Sequence, residues 1–396
     1  MKILSRSKPI FINVLYYSSM KLLISLSYYS PHISGLTLAL RHLAELLQRN
    51  GYTVTVLAAQ HKKNLPDEEK INEVTVVRVP YFFRVNKGFF MPGFSKTAFR
   101  LLQKNDVVLL TLPQVQSLTV AIVAKLLRKK IVCLYICEVT LSGGFLAKIV
   151  NSMIRLINRT TLLLADQIVT LTDDFAVHTA NLKEPEKKVA GIYPVIIPPR
   201  IIQAEIDALQ KRVLRKKYYI GYLGRIASEK GIVHLLEAIP SLQKILGTDF
   251  AVIFAGPKKT VGEELYRKKV ESLFKKYSKF VIQLGELSDA QVGAFYSLLD
   301  VFVLPSTNNT EAFGMVQVEA MYCGTPVVTT DLPGVRVPVQ KTGMGEIVPP
   351  GNVSALAQAI EKILKNKRQY RKQRELIEDI FSEKKIVLAY QRLFTV

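Results

Sequence analysis

Apolar residues recur along this 396-residue chain in two alternating spacings. Short unbroken runs predict buried strands, and runs repeating every three to four positions predict amphipathic helices. In the first half the strand runs are Leu22–Ser27, Thr53–Leu57, Val74–Val79, Val107–Leu110, Ile131–Ile136 and Gln167–Leu171. A helix with Leu36, Leu40, Leu43 and Leu47 on one face lies between the first two and stops at Gly51. Further helices are predicted over Val115–Leu127 and Phe145–Leu164. Pro194, Pro198 and Pro199 break the pattern, a basic link follows at Lys211–Lys217, and the alternation restarts. Its strands are Tyr219–Leu223, Phe250–Ala255, Phe280–Leu284, Val301–Leu304 and Pro326–Thr329. Arg374–Phe394 reads as a closing helix with Leu376, Ile380, Ile386 and Leu388 as its apolar positions. The fold class is therefore α/β, with two doubly wound parallel-sheet domains in series. No short-period repeat or low-complexity tract interrupts it.

Composition changes this picture little. The length suits two or three domains with ample core, and 49% hydrophobic with 22% charged residues are ordinary globular values. Cys133, Cys137 and Cys323 are too few for a disulfide framework, and Cys133 and Cys137 lack the Cys/His partners of a zinc site. They read as thiols in a reducing, cytoplasmic compartment, and no required metal or cofactor is expected. Residues 9–29 carry a single charge, Lys21, but a membrane span there would consume the first strand. Residues 1–19 are accordingly read as an N-terminal extension, with the core starting near Met20.

Charge adds more. The formal net charge is +22, and the first 200 residues hold 26 Lys/Arg against 12 Asp/Glu. The excess peaks in 81–104, where Arg84, Lys87, Lys96, Arg100 and Lys104 stand among Phe82, Phe83, Phe89, Phe90, Phe94 and Phe99 without an acidic neighbour. Cations mixed with aromatics suit the anionic surface of a membrane. A second such stretch is Leu146–Leu164, where Lys148, Arg155 and Arg159 alternate with Ile149, Met153, Ile154, Leu156 and Ile157. No nucleic-acid reader motif accompanies the charge, so nucleic acid is not an expected partner.

The chemistry concentrates in Pro305–Met321. Glu311 falls in a polar loop after the strand Val301–Leu304, and Glu319 falls about a turn inside the helix that Gly324 and Pro326 end. Phe313, Gly314 and Met315 sit between them at the helix N-terminus, where backbone N–H groups favour an anion. The order is carboxylate, anion site, carboxylate, matching the hexose, pyrophosphate and ribose of a nucleotide-diphosphate sugar. Upstream, Tyr218–Gly231 reads as a strand entering a Gly-rich turn flanked by Arg225 and Lys230. Arg offers a fork and Lys a point charge to phosphate oxygens.

These two runs closely resemble the Glu-x7-Glu and Gly-Arg…Lys-Gly signatures of retaining glycosyltransferases of the GT-B fold, family 4 (glycosyl transferases group 1). The resemblance runs from about Met20 to the C-terminus and is strongest over 218–350. It implies an acceptor-side domain at 20–198, a linker at 199–217, a nucleotide-sugar-binding domain at 218–373, and a terminal helix at 374–396 crossing back to the first domain. A cleft between the domains would take donor and acceptor. Position by position, Glu311 would hold the donor hexose as the catalytic carboxylate, and Arg225 and Lys230 would hold the diphosphate. Gly314 and Met315 would add backbone N–H groups, Gly35 would let the first-domain loop approach the phosphates, and Phe313 and Glu319 would contact sugar and ribose. The base would lie against main chain at Phe254–Pro257. In the family the leaving phosphate itself is thought to help deprotonate the acceptor, so no enzyme nucleophile is implied. His32, His42, His61, His178 and His234 are scattered in sequence and carry no assigned role.

The chain departs from the family pattern at Tyr135-Ile136-Cys137-Glu138, where Ile136 stands in the place of a sugar-contacting His, and at Ser34-Gly35, where many relatives have two glycines. Glu138 or Thr140 could substitute for that contact. The activity implied is metal-independent transfer of a hexose to a lipid-linked or glycan acceptor, at the inner face of the cell membrane. Two alternatives stand beside it. A sugar-nucleotide epimerase of the same fold would need acid/base groups on both faces of the sugar, and a nucleotide-sugar-binding or scaffolding protein would transfer weakly or not at all.

Overall fold

A computed structural model of the chain describes residues 20–85, 88–138, 144–183, 188–257 and 263–395. The extension at 1–19, Lys87 and Thr140 lie outside the described residues. Internal contacts group the chain into two compact units. The first runs up to Leu134 and takes in Ile157–Gln167 and Tyr390–Val396; the second comprises Tyr135–Leu156 and Ile168–Ala389.

The N-terminal sheet is built from β1 (Lys21–Ser25), β2 (Thr53–Ala59), β3 (Glu68–Ile71) and β4 (Val74–Val79), with β7 (Val107–Leu112), β8 (Lys130–Tyr135), β9 (Gln167–Thr170) and β10 (Val189–Gly191). Its order is β10-β9-β8-β7-β1-β2-β4-β3. Leu22 of β1 aligns with Val54 on one side and Val107 on the other, both parallel. β3 is antiparallel to β4 at the edge. A separate two-stranded ribbon joins β5 (Phe83–Val85) to β6 (Gly88–Phe90). The helices of this half are α1 (Gly35–Arg49), α2 (Phe94–Lys104), α3 (Ser117–Leu126), α4 (Phe145–Leu164) and α5 (Asp173–His178). Ser34 caps α1: its hydroxyl accepts from Thr37 N–H at 3.2 Å while Thr37 Oγ1 accepts from Ser34 N–H at 2.9 Å. That reciprocal pair satisfies two of the helix's orphan donors and fixes where it starts. Leu40, Leu43 and Leu47 of α1 are buried, as the periodicity predicts, whereas Leu36 in its first turn is exposed.

The second sheet has order β13-β12-β11-β14-β15-β16. Its strands are β11 (Tyr218–Leu223), β12 (Phe250–Ala255), β13 (Val281–Gly285), β14 (Val301–Leu304), β15 (Val327–Thr330) and β16 (Gly345–Val348). All neighbours are parallel, and β12, β14 and β15 are buried along their whole length. That is why they read as unbroken apolar runs. Period-two alternation sends Phe250, Val252, Val301 and Val303 into one core and Ile253, Ala255, Phe302 and Leu304 into the other. The covering helices are α6 (Gln203–Gln210), α7 (Ile232–Glu237), α8 (Ile239–Leu246), α9 (Glu264–Lys276), α10 (Asp289–Leu298), α11 (Met315–Tyr322), α12 (Val337–Thr342), α13 (Val353–Lys365), α14 (Lys367–Tyr370), α15 (Arg374–Ile380) and α16 (Glu383–Thr395).

Several elements differ from the expectation. The spacing of Ile232, Leu235, Leu236 and Ile239 predicts one helix after Gly231, but the stretch forms two, because Pro240 near the start of α8 lacks the N–H needed to continue α7; all four residues are buried nonetheless. The closing stretch also splits, between α15 and α16. Its buried side chains are Ile377, Phe381, Ile386, Val387, Tyr390 and Phe394, whereas Leu376 and Leu388 are exposed. Within the first unit, Phe394 meets Tyr52 edge-on, with ring centroids 5.7 Å apart.

Candidate active site

The two motifs converge because β11 and β14 are neighbours, with Ile220 aligned to Val301. Both strands therefore release their loops at the same sheet end, the ligand position of an open parallel sheet. The turn after β11 and the loop after β14 are then fastened together. Thr307 N–H donates to Glu229 O at 2.9 Å, and Thr307 Oγ1 donates to Ser228 O at 3.3 Å. Gly231 adopts φ +64°, and a Cβ there would lie 1.9 Å from Pro305 O, so only glycine permits this approach.

Across that junction Lys230 Nζ donates to Glu311 Oε2, although 81 residues separate them. Arg225 is paired in turn with Glu229. The structure thus brings Arg225, Lys230 and Glu311 into one constellation and adds Glu229, a fourth charge. Two cations and two carboxylates neutralise each other locally, so an incoming diphosphate would compete with Glu311 and Glu229 for the same donors.

Gly314, with φ +76°, is the N-cap of α11, and Met315 is its first residue. Gln317 holds this turn by donating to Phe313 O at 2.6 Å and to Val335 O at 2.8 Å. Phe313 does not present its ring to a ligand: the ring is buried between Tyr193 and Phe381, at 5.8 and 6.0 Å. The Phe313 side chain thus belongs to the core, which leaves only its backbone for the sugar or ribose contact expected of this residue. Glu319 lies one turn into α11 and accepts a hydrogen bond from Tyr296 OH at 3.0 Å. The residue keeps partial access to solvent, yet its carboxyl is set deep enough that burial pushes its pKa up to about 7. The Tyr296 hydrogen bond opposes that rise without cancelling it.

Beside the constellation, the adjacent strands β11, β12 and β13 end near Gly224, Gly256 and Gly285, all with positive φ. A Cβ on Gly256 would fall 2.2 Å from Gly224 O. These glycines and the rings of Tyr222, Phe254 and Phe274 border a small open hollow.

Gly35 stands apart. It opens α1 in the first unit, and nothing lies within 4 Å of a Cβ built on it, so the surrounding protein imposes no need for glycine there. Ile136 and Glu138 follow β8 and are half-buried; burial raises the Glu138 carboxyl. Sequence reasoning missed Glu229, Thr307, Gln317 and Tyr296. Glu229 was legible as the residue beside Lys230, but Tyr296 comes from α10 and no local pattern marks it. The histidines are less scattered than they look: His32 and His61 lie 5.7 Å apart, each against Tyr28 at 4.6 and 5.8 Å. Among the described residues no group of three His, Cys, Asp or Glu side chains could hold a metal ion.

Two α/β sheets in series give the GT-B fold, and the family and relatives that the chain matches make it a glycosyltransferase. Residues 205–380 match the glycosyl transferases group 1 family, and residues 34–194 match a glycosyl transferase 4-like domain. It is 29% identical over 226 residues to a 2-deoxystreptamine glucosyltransferase of Streptomyces kanamyceticus, covering 55% of this chain and 56% of that protein. The chain thus aligns with only about half the length of that relative. It is 26% identical to the uncharacterized glycosyltransferase MJ1607 of Methanocaldococcus jannaschii, covering 85% of this chain and 87% of that one. A match to the phosphatidyl-myo-inositol mannosyltransferase of Mycobacterium leprae is 34% identical and spans 37% of each. Among solved structures, a sucrose-phosphate synthase from Thermosynechococcus elongatus superposes with a TM-score of 0.73 at 19% identity, covering 95% and 98% of the two chains. Anabaena HepE in complex with UDP-glucose gives 0.73 at 18%, covering 95% and 100%.

Proposed function

We propose that this protein transfers a hexose, with retention at the anomeric carbon and without a metal, from a nucleotide-diphosphate sugar to a lipid-linked or glycan acceptor. The observation that carries the reading is the Lys230–Glu311 pair beside Arg225, at the end of β11 and β14. In this assignment Lys230 and Arg225 take the diphosphate and offset charge growing on the leaving phosphate. Glu311, released from Lys230, accepts hydrogen bonds from the hexose. Glu319 takes the ribose hydroxyls, and Gly314 and Met315 contribute backbone N–H groups at the start of α11. The glycine-ended strands seat the base. The leaving phosphate, rather than a side chain, accepts the acceptor's proton, and the site described offers no second acid/base pair of the kind an epimerase needs. Support for a nucleotide donor comes from HepE, which binds UDP-glucose, and support for a lipid-linked acceptor from the phosphatidyl-myo-inositol mannosyltransferase.

The reading includes a seat on the inner face of the cell membrane through residues 81–104. Phe82, Phe83, Phe90 and Phe99 are exposed there, and Phe83 stacks on Phe90 at 4.9 Å across the β5–β6 ribbon. Phe89 and Phe94 are buried and belong to the core. Among the described residues no helix is long and apolar enough to cross a membrane.

The test is thermal stability of the purified protein against UDP, GDP, ADP, CDP and dTDP, without metal. A nucleotide at 100 times its dissociation constant adds about 2.7 kcal/mol. A shift with one base that Lys230→Ala removes supports the donor site. No shift with any of them refutes it. With the matching nucleotide-sugar, Glu311→Ala should abolish transfer; transfer unaffected by that change refutes the role given to Glu311, and a parent protein that binds the nucleotide-sugar without transferring it leaves the scaffolding alternative in its place.

A further inference from the structure

The first three turns of α4 combine a strongly apolar sequence with almost no packing. From Phe145 to Leu156 no described side chain is buried. At about 100° per residue, Phe145, Ile149, Met153 and Leu156 fall within one 80° sector. They are 77%, 42%, 58% and 66% exposed. Core-facing residues of the same helix, Asn158, Thr161 and Leu162, lie on the opposite side and are buried. Among the described residues, α4 therefore turns Asn158, Thr161 and Leu162 inward and leaves its apolar stripe exposed. Lys148 and Arg155 line a single edge of the outward stripe, both exposed. No Asp or Glu occurs between Glu138 and Asp166.

We infer that this face of α4 lies in the headgroup region of an anionic lipid bilayer. An exposed apolar stripe edged by cations is the pattern of an in-plane interfacial helix, whose long basic side chains reach headgroup phosphates while the stripe sinks beneath them. Twelve residues span about 18 Å, enough for contact and too short to cross. A second copy of the chain is the weaker occupant. A two-fold contact would set Lys148 and Arg155 of both copies against each other with no acid between them, on molecules that each carry +22. The inference deepens the membrane part of the proposed function, adds a surface outside 81–104, and does not depend on the donor site.

The chain contains no tryptophan, so Leu156→Trp on this exposed position gives a single clean reporter. With vesicles of equal phosphatidylglycerol and phosphatidylcholine at low salt, its emission should move to shorter wavelength, and pure phosphatidylcholine should leave it unchanged. Lys148→Gln with Arg155→Gln in that background should weaken the partition coefficient about thirty-fold, at roughly five-fold per cation. Phe82→Trp, made separately, reports the 81–104 surface, and Glu311→Gln should alter neither signal. The inference is overturned if the Leu156→Trp emission ignores anionic vesicles, or if only Phe82→Trp responds. It is equally overturned if the emission is already shifted in the protein alone, which would mean that residues of this chain cover the stripe. A shift that follows protein concentration without lipid would assign the face to a second copy.

Discussion

Glu319→Gln separates the energetic cost of this carboxyl from its use. Burial lifts the pKa from 4.5 in an exposed carboxyl to about 7, a rise of about 2.5 units or roughly 3 kcal/mol at about 1.4 kcal/mol per unit. Between these two values the folded protein holds the proton more tightly than the unfolded chain does. Stability therefore falls as pH rises from about 4.5 to about 7, and the full penalty is present above that. Glutamine is neutral at every pH and its Oε1 can still accept from Tyr296. The variant should match the parent near pH 4.5 and exceed it by up to about 3 kcal/mol at pH 8. Urea unfolding of both proteins at the two pH values, followed by circular dichroism, measures the difference through the midpoint. Nucleotide affinity should move the other way: the parent should bind less tightly as pH drops through 7, because the protonated acid accepts fewer ribose hydroxyl bonds, and the variant should bind weakly at all pH. A stability difference that is the same at pH 4.5 and pH 8 would refute the reasoning.

Three further outcomes follow from the geometry. Gly231→Ala should cost at least about 2 kcal/mol, from the left-handed backbone and the overlap with Pro305 O, and should impair nucleotide binding in calorimetry more than it lowers the urea midpoint. Glu229→Gln should release Arg225 and tighten nucleoside-diphosphate binding roughly two- to five-fold by titration calorimetry; weaker binding would show that Glu229 positions Arg225 rather than restraining it. Arg336→Ala should destabilise by about 1–3 kcal/mol at neutral pH. Burial would raise the Asp174 carboxyl, but Arg336 and Gly334 N–H outweigh it and hold its pKa low. The Arg336 contribution is present above the ordinary Asp range and lost as pH falls through the folded value, so parent and variant should converge in acid unfolding.

What the sequence made legible follows burial. β12 and β14 are enclosed on both sides, and their boundaries were readable as unbroken apolar runs. The edge strands β3 and β16 were not, because Glu68–Ile71 has exposed, charged positions and Gly345–Val348 is only half-buried. β5 and β6, three residues each, leave no periodicity to detect, and α2 lay hidden in a stretch read for its charge. In the site, the motifs located Arg225, Lys230, Glu311 and Glu319 along the chain. They did not show that Lys230 and Glu311 touch, since that contact depends on β11 and β14 being neighbours. Local sequence also could not tell Phe313 as ligand contact from Phe313 as core, a choice made by Tyr193 and Phe381.

The reciprocal pairing of Lys230 with Glu311 and of Arg225 with Glu229 bears on turnover. A site that keeps its own counter-ions never has to expose bare cations to solvent between cycles, and the same carboxylates are at hand when the sugar has gone. As a hypothesis, the return of Glu311 to Lys230 once its sugar contact is lost helps expel the nucleoside diphosphate, exchanging tightness of hold for speed of departure. Under that scheme Glu229→Gln would raise affinity and yet slow steady-state transfer through slower product release. Stopped-flow displacement of a fluorescent nucleotide would register this as a lower off-rate; an unchanged off-rate would mean the pairing shapes the empty site alone.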